Sequence, residues 1–469
     1  MDYLLDKPRA NCAVVGIYGL EEAATLSYLS LYALQHRGQE ATGIVSSDGE
    51  NLRRHAGKGL VADVFKDRTT FNKLPGKLSI GHNRYSTTGS STQDNVQPLL
   101  VQDHSGPIAL AHNGNLTNYH QLRKFLEGEG SLFRTSADSE IILQLLARSH
   151  GKDLKSRLFD VIRMVKGAYS LVMMSRDVLV AVRDPRGFRP LCLGKKDDGW
   201  IVASESCAFD LLGAEYVRDV RPGEMLVIDE NGCESLFFAN GDSHAHCIFE
   251  FVYFSRPDSL IFGENVDRTR RKLGHVLAAK HHVPKADIVV SVPDSSNTSA
   301  LGYAHEANIN FELGLIRNHY VGRTFIEPEQ QLRDFGVKLK FNVVKGVVKG
   351  KSIILVDDSI VRGTTLKKLV RLMRRAGAKE IHARISSPPI TNPCYYGMDF
   401  PTREELVACS RSIEEIKNYI DADSLEYLTA EELLGATSKR VGQDFCTACF
   451  TGDYPIEITE SEGVVKIES

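Results

Sequence analysis

"SIILVDDSIVRGTTLKKLVRLMRRAGAKEIHARISS", residues 352–387, reads as one complete strand–helix–strand unit. Leu366, Leu369, Val370 and Met373 recur at i, i+3, i+4 and i+7, which lines one helix face, while Ile381, Ala383 and Ile385 alternate as a strand does. Two like-directed strands joined by a helix need a crossover, so this half of the chain predicts a parallel-sheet α/β domain with right-handed connections. The first strand ends in Asp357 and Asp358 and runs through "SIVRG" into Thr364 and Thr365. Backbone amides of such a loop converge with the helix N-terminus on one point, which makes an anion site. Gly363 lets the backbone approach closely, the threonine hydroxyls add donors, and paired carboxylates at the strand end suit ribose hydroxyls and a divalent cation.

Outward from this unit, "DIVVSVPDSS" (residues 287–296) is another strand entering a polar loop. Towards the N-terminus the texture changes. From Cys12 to about residue 240, short β-like runs such as "LSIGHNRYS", "AYSLVMM", "VLVAVRD" and "WIVASES" surround two helical stretches, "LSYLSLYALQHRG" (26–38) and "DSEIILQLLARS" (138–149), so this half predicts a layered α+β domain. The junction near "NGDSHAHCIFEF" carries no flexible linker.

Composition narrows the function classes. The chain has 469 residues, 42% hydrophobic and 25% charged, with a net charge of −3, enough for two or three cores and without the basic bias of a nucleic-acid or membrane-surface binder. "MDYLLDKPRA" lacks the apolar region of a signal peptide and no run is long enough to span a membrane, so a cytoplasmic location is expected. Nine cysteines at irregular spacing then read as thiols, metal ligands or a nucleophile and not as a disulfide framework.

"VDDSIVRGTT" resembles the phosphoribosyl-pyrophosphate (PRPP) motif of type I phosphoribosyltransferases. The resemblance implies that Asp358, Ser359, Arg362, Gly363, Thr364 and Thr365 grip the 5-phosphate, and that Asp357 and Asp358 meet ribose and one Mg²⁺ per subunit. "VPDSS" (292–296) is similar to the family's pyrophosphate loop, with Ser295 a further Mg²⁺-site residue. "YVGRTFIEPEQQLR" (320–333) resembles a loop that closes over PRPP, with Arg323 and Arg333 neutralising pyrophosphate.

The N-terminal motifs "RANCAVVGIYG", "QHRGQEATGI", "GHNRYSTTG", "AHNGNL" and "TSADSE" resemble, in the same order, those of N-terminal-nucleophile glutamine amidotransferases, whose domain is an αββα layered hydrolase fold. Both motif sets in one chain resemble the glutamine-dependent PRPP amidotransferases. That implies a propeptide over 1–11, a glutaminase domain over 12–245, a phosphoribosyltransferase domain over 246–455 and a tail over 456–469. It implies glutamine hydrolysis on Cys12, with Asn113 and Gly114 as oxyanion hole, Arg84 and Asp138 on the glutamine α-carboxylate and α-ammonium, and Arg37 and Gly38 lining the pocket. Removal of residues 1–11 would give Cys12 a free α-amine, with a pKa near ~8, as its own base. The ammonia would displace pyrophosphate from PRPP, giving 5-phosphoribosylamine. Purine nucleotides are expected as feedback inhibitors, and a homodimer or tetramer as the assembly.

Cys446 and Cys449 form a C-x-x-C, which by itself suits zinc, a redox pair or a cluster. Together with Cys247 and Cys394, their contexts resemble the subgroup that carries a structural [4Fe–4S] cluster. Cys192, Cys207, Cys233 and Cys409 read as packed thiols. Three positions depart from the resembled pattern: Ala13 stands where glycine is common, His319 where arginine is frequent, and Asn83 where an apolar residue is usual. A PRPP-sensing regulator is the alternative reading, and it leaves the glutaminase motifs idle.

Overall fold

The structure, a computed structural model, describes residues 12–85, 92–239, 243–318, 340–398, 400, 402–437 and 444–458. The proposed propeptide, His319, Arg323 and Arg333 lie outside the described residues. In the strand Ala13–Tyr18, Ala13, Val15 and Ile17 point one way and Val14 and Gly16 the other, the two-residue period of an extended chain. This strand is central in a seven-stranded antiparallel sheet, between Gly199–Ala203 and Leu78–Arg84. A second, six-stranded antiparallel sheet pairs Gly106–Leu116 with Gly167–Met174.

Val14, Val45 and Ile80 of the first sheet meet Ala109, Val172 and Leu226 of the second in one buried layer. Helix Ala23–Ala33 covers the outer face of the first sheet, while Ser139–Arg148 and Leu154–Val161 cover the second. Each large aliphatic side chain buried in these layers stabilises the fold by about 1.5–3 kcal/mol over its exposed state. The layers are αββα, as the resemblance implies. The helix expected over 26–38 is shorter at its end: it stops at Ala33, and Gln35–Arg37 tighten into a 3₁₀ turn. Arg37 is drawn inward there by two glutamates from distant segments, a pull that local periodicity does not record.

In the second half, Ile288–Ser291, Ser352–Asp357, Glu380–Ile385 and Ser424–Tyr427 form a parallel sheet in that order. Helix Thr364–Arg375 lays Leu366, Leu369, Val370 and Met373 on Ile353, Leu355 and Ile381. Helices Val266–Lys280 and Asn297–Ala307 cover Val289, Ile354 and Val356 on the opposite face. The register Ser291↔Val356 brings the loops after the first two strands side by side.

The halves are stitched together. A short parallel ladder pairs His246 with Phe445 and Cys247 with Cys446, and the Phe188 ring stacks on Tyr396 with centroids 4.2 Å apart. Among the thiols read as packed, Cys192 and Cys207 are buried and Cys233 is half-buried, but Cys409 is exposed. It sits in a one-turn helix, Val407–Ser410, that buries only Val407. Among the described residues no helix is long and apolar enough to cross a membrane.

Candidate functional site

Cys12 enters the central strand of the first sheet and is buried. Its thiol lies 3.4 Å from the Tyr85 carbonyl and 3.5 Å from the Tyr85 nitrogen. Burial pushes the thiol pKa up, against the Tyr85 contact and the Arg84 charge, which lower it. A base is therefore needed to make the thiolate. The pairing Ala13↔Asn83 sets Arg84 beside Cys12, and an Arg84 Nη donates to the Asn95 carbonyl at 2.7 Å. Asn83 donates to the Leu31 carbonyl at 2.7 Å and accepts from the Thr42 hydroxyl at 2.9 Å, tying helix to sheet. An apolar residue there would make neither bond.

Asn113 is fully buried, and neither its amide nitrogen nor its amide oxygen has a partner among the described residues. Each such orphan costs about 1–3 kcal/mol, which a bound polar ligand would relieve. At Gly114 φ is +148°, and a Cβ would stand 2.0 Å from the Ala168 carbonyl oxygen, so only glycine fits. Next to them, burial lowers the His82 pKa to about 3, so the neutral ring donates from Nε2 to the His112 carbonyl at 3.0 Å and joins the two sheets.

Asp138 stands at the N-cap of Ser139–Arg148 but makes no side-chain cap bond. Its carboxylate accepts the Leu116 N–H at 2.9 Å and lies 3.5 Å from His112 Nδ1. Burial raises its pKa, but His112 and the Leu116 and Ser139 amides outweigh that, so it stays below the ordinary carboxylate value.

Arg37 departs from the expectation of a pocket-lining side chain. Its guanidinium is fully buried, pairs with Glu205 and Glu250, and donates from Nε to the Cys12 carbonyl at 3.4 Å. A buried guanidinium requires such counter-charges, and they hold it at the junction of the two halves. Gly38, next in sequence, packs on the Asn83 and Arg84 backbone. Glu205, Glu250 and Arg189 belong to this network and went unread in the sequence. Their partners lie 168 and 213 residues away for Arg37 and 61 for Arg189, with no motif to mark them.

In the second half, Asp357 and Asp358 are buried at the strand end. Asp358 accepts from the hydroxyls of Ser295 at 2.5 Å, Ser296 at 3.3 Å and Ser359 at 2.6 Å; Asp357 accepts from Ser296 at 3.1 Å and from the Asp358 N–H at 2.9 Å. The two loops thus share one acidic cradle. Gly363, at φ +77°, turns the chain into helix Thr364–Arg375, and a Cβ there would press 3.2 Å from the Tyr419 ring. Arg362 reaches Glu405 at 2.8 Å at the rim; Thr365 is buried and Thr364 exposed.

Cys247, Cys394, Cys446 and Cys449 line one cavity together with Phe188, Arg189 and Tyr396. All four are free thiols. Burial pushes Cys247 up to about 12 and raises Cys446 and Cys449 as well, with the neighbouring thiols adding to the rise. Among the described residues no group of three or more His, Cys, Asp or Glu side chains is arranged to hold a metal ion.

Residues 82–210 match a glutamine amidotransferase domain and residues 276–392 a phosphoribosyl transferase domain. The chain is 51% identical over 462 residues to amidophosphoribosyltransferase 2, chloroplastic, of Arabidopsis thaliana, covering 97% of this chain and 81% of that protein. It is 49% identical to the amidophosphoribosyltransferase of Bacillus subtilis, covering 96% and 94% of the two chains, and 48% identical to that of Archaeoglobus fulgidus, covering 96% and 99%. The solved structure of glutamine PRPP amidotransferase from B. subtilis, complexed with ADP and GMP, superposes with a TM-score of 0.90 at 49% identity, over 96% of this chain and 98% of that one. Two acid- and amide-lined sites on a glutaminase half and a phosphoribosyltransferase half thus agree with relatives matched from end to end: the chain belongs to the amidophosphoribosyltransferases, which use glutamine to aminate PRPP in the first step of purine biosynthesis.

Proposed function

We propose that Cys12 is the nucleophile of glutamine hydrolysis, and that the ammonia it releases reacts in the cradle between residues 292–296 and 357–365. The observation that carries this is the orphaned Asn113 amide beside the Gly114 backbone. A tetrahedral intermediate on Cys12 would place its oxyanion between the Asn113 side-chain N–H and the Gly114 N–H. Arg84 would take the α-carboxylate of glutamine and Asp138 its α-ammonium, selecting an amino acid over a bare amide. The base is the α-amine of Cys12, set free when residues 1–11 leave. Asn113→Ala is expected to lower glutamine-dependent turnover about 10²–10³-fold and leave synthesis from ammonium unchanged. Parallel loss of both activities would make Asn113 a support of the fold.

Asp358, Ser359, Arg362, Gly363, Thr364 and Thr365 would hold the 5-phosphate, and Arg323 and Arg333 would add positive charge to the pyrophosphate side. The hard oxygen donors of Asp357, Asp358 and Ser295 suit Mg²⁺. Bound there, it would neutralise pyrophosphate oxygens as they leave.

The four cysteines line one cavity, and it is the resemblance of their contexts that favours a [4Fe–4S] cluster over zinc, which thiolates would also bind. The cluster would be structural, joining residues 247, 394, 446 and 449 across the junction. Iron and acid-labile sulfide analysis of anaerobically purified protein is expected to give about four of each per chain, with absorbance near ~400 nm. About one zinc without sulfide would replace the cluster with a zinc site. Purine nucleotides as inhibitors, a homodimeric or tetrameric assembly and a cytoplasmic location complete the proposal; the B. subtilis relative was solved with ADP and GMP.

A further inference from the structure

Glu250 belongs to the second half of the chain, three residues after Cys247, in the π-helical turn Glu250–Phe254. Its carboxylate nevertheless faces the first half. One oxygen accepts Arg37 Nη2 at 2.7 Å and the other accepts Arg37 Nη1 at 3.1 Å, a two-pronged pairing that fixes the plane of the guanidinium. Arg37 then presents Nε to the Cys12 carbonyl at 3.4 Å. On its far side Glu250 lies 3.5 Å from Arg189 Nη1 and accepts the Ser255 hydroxyl at 2.7 Å. Arg189 donates from Nε to the Tyr396 carbonyl at 3.0 Å and lines the four-cysteine cavity.

Arg37, Arg189, Glu205 and Glu250 are all 0% exposed. Arg37 and Arg189 face Glu205 and Glu250 there, with His36 Nε2 also 2.7 Å from Glu205, so removing the charge of Glu250 leaves buried positive charge less well compensated. Glu205 has further donors, the Ser259 hydroxyl at 2.6 Å and the Arg256 N–H at 2.9 Å, which spread its role. Glu250 is the counter-charge shared between the two arginines. We infer that Glu250 is a positioning residue of glutamine hydrolysis: through Arg37 it fixes the main chain of Cys12 and so aims the thiol at the Asn113 side. The second half of the chain thereby aligns the nucleophile of the first. This rests on the reading of Cys12 as nucleophile.

The test is Glu250→Gln in the full-length protein, which keeps size and removes charge. Glutamine-dependent kcat is expected to fall about tenfold or more, while KM for glutamine and synthesis from ammonium stay within about twofold, because Arg84, Asp138 and the PRPP cradle are untouched. Alkylation of Cys12 by iodoacetamide, mapped by peptide mass, is expected to slow in parallel. If Glu250 acts through Arg37, adding Glu250→Gln to Arg37→Gln costs less than about twofold more. Unchanged glutamine turnover, equal loss of both activities, or multiplying effects in the double variant would each overturn the inference. If Glu250→Gln does not accumulate, Ser255→Ala removes only one hydroxyl from Glu250 and is expected to lower glutamine turnover about two- to fivefold; no change there also overturns it. Glutamine turnover surviving in Cys12→Ala would instead remove the reading on which the inference rests.

Discussion

Cys12→Ala is expected to abolish glutamine-dependent synthesis, by a factor on the order of 10⁴–10⁶, while synthesis from concentrated ammonium at raised pH persists. The size follows from losing the covalent route altogether: alanine has neither sulfur nor any atom that attacks an amide carbon. The selectivity follows from packing. The thiol's contacts with Tyr85, at 3.4 and 3.5 Å, are long and weak, so trading sulfur for a methyl hydrogen disturbs little of the strand behind it. The cradle proposed for PRPP lies on the parallel sheet of the second half, and its acids take their hydrogen bonds from Ser295, Ser296 and Ser359. Intact-mass measurement of the active wild-type protein is expected to show a chain beginning at Cys12; full activity with residues 1–11 attached would eliminate the α-amine as base. Equal loss of both syntheses in Cys12→Ala would make Cys12 a support of the fold.

The second large effect is expected at the acidic cradle. Asp358→Asn and Asp357→Asn each keep the shape of the side chain and remove one buried negative charge from the position proposed for ribose and cation. Synthesis with ammonium as nitrogen source should fall about 10²–10³-fold, equivalent to roughly 3–4 kcal/mol of transition-state stabilisation. Ammonium is the right donor for this measurement, since it takes the glutaminase out of the comparison. The fold should survive. The asparagine oxygen still accepts from one serine hydroxyl, and the strand beneath is held by Ile353, Ile354, Leu355 and Val356, all buried in the sheet cores. Normal PRPP binding and turnover in both variants would move the phosphoribosyl site elsewhere.

Much of this architecture was legible in the sequence, for reasons that differ by residue. Leu366, Leu369, Val370 and Met373 face one core because a helix of 3.6 residues per turn leaves them no other common side. Gly363 was legible because a left-handed turn before a helix tolerates little else. Cys12, Asn113 and Asp138 were singled out by motifs, but their surroundings were not legible: that Asp138 spends its carboxylate on Leu116 and His112 and leaves its own helix uncapped depends on a strand more than twenty residues upstream. Arg37 was misread. In "QHRGQ" it looks like a pocket residue, and only the fold brings Glu205 and Glu250 to it. Cys409 misled in the opposite sense, since an apolar-looking thiol in a one-turn helix has too little partner surface to be buried.

The ladder between Cys247 and Cys446 sets a timetable for the newborn chain. Its strands are separated by roughly 200 residues, which a ribosome adds in about 10–40 s at 5–20 residues per second. During that interval the two antiparallel sheets, built wholly from residues before 240, are free to form, but the Tyr396 carbonyl that anchors Arg189 does not yet exist. An unfinished polypeptide therefore carries the first two sheets without the Cys247–Cys446 ladder and without the Tyr396 carbonyl behind Arg189.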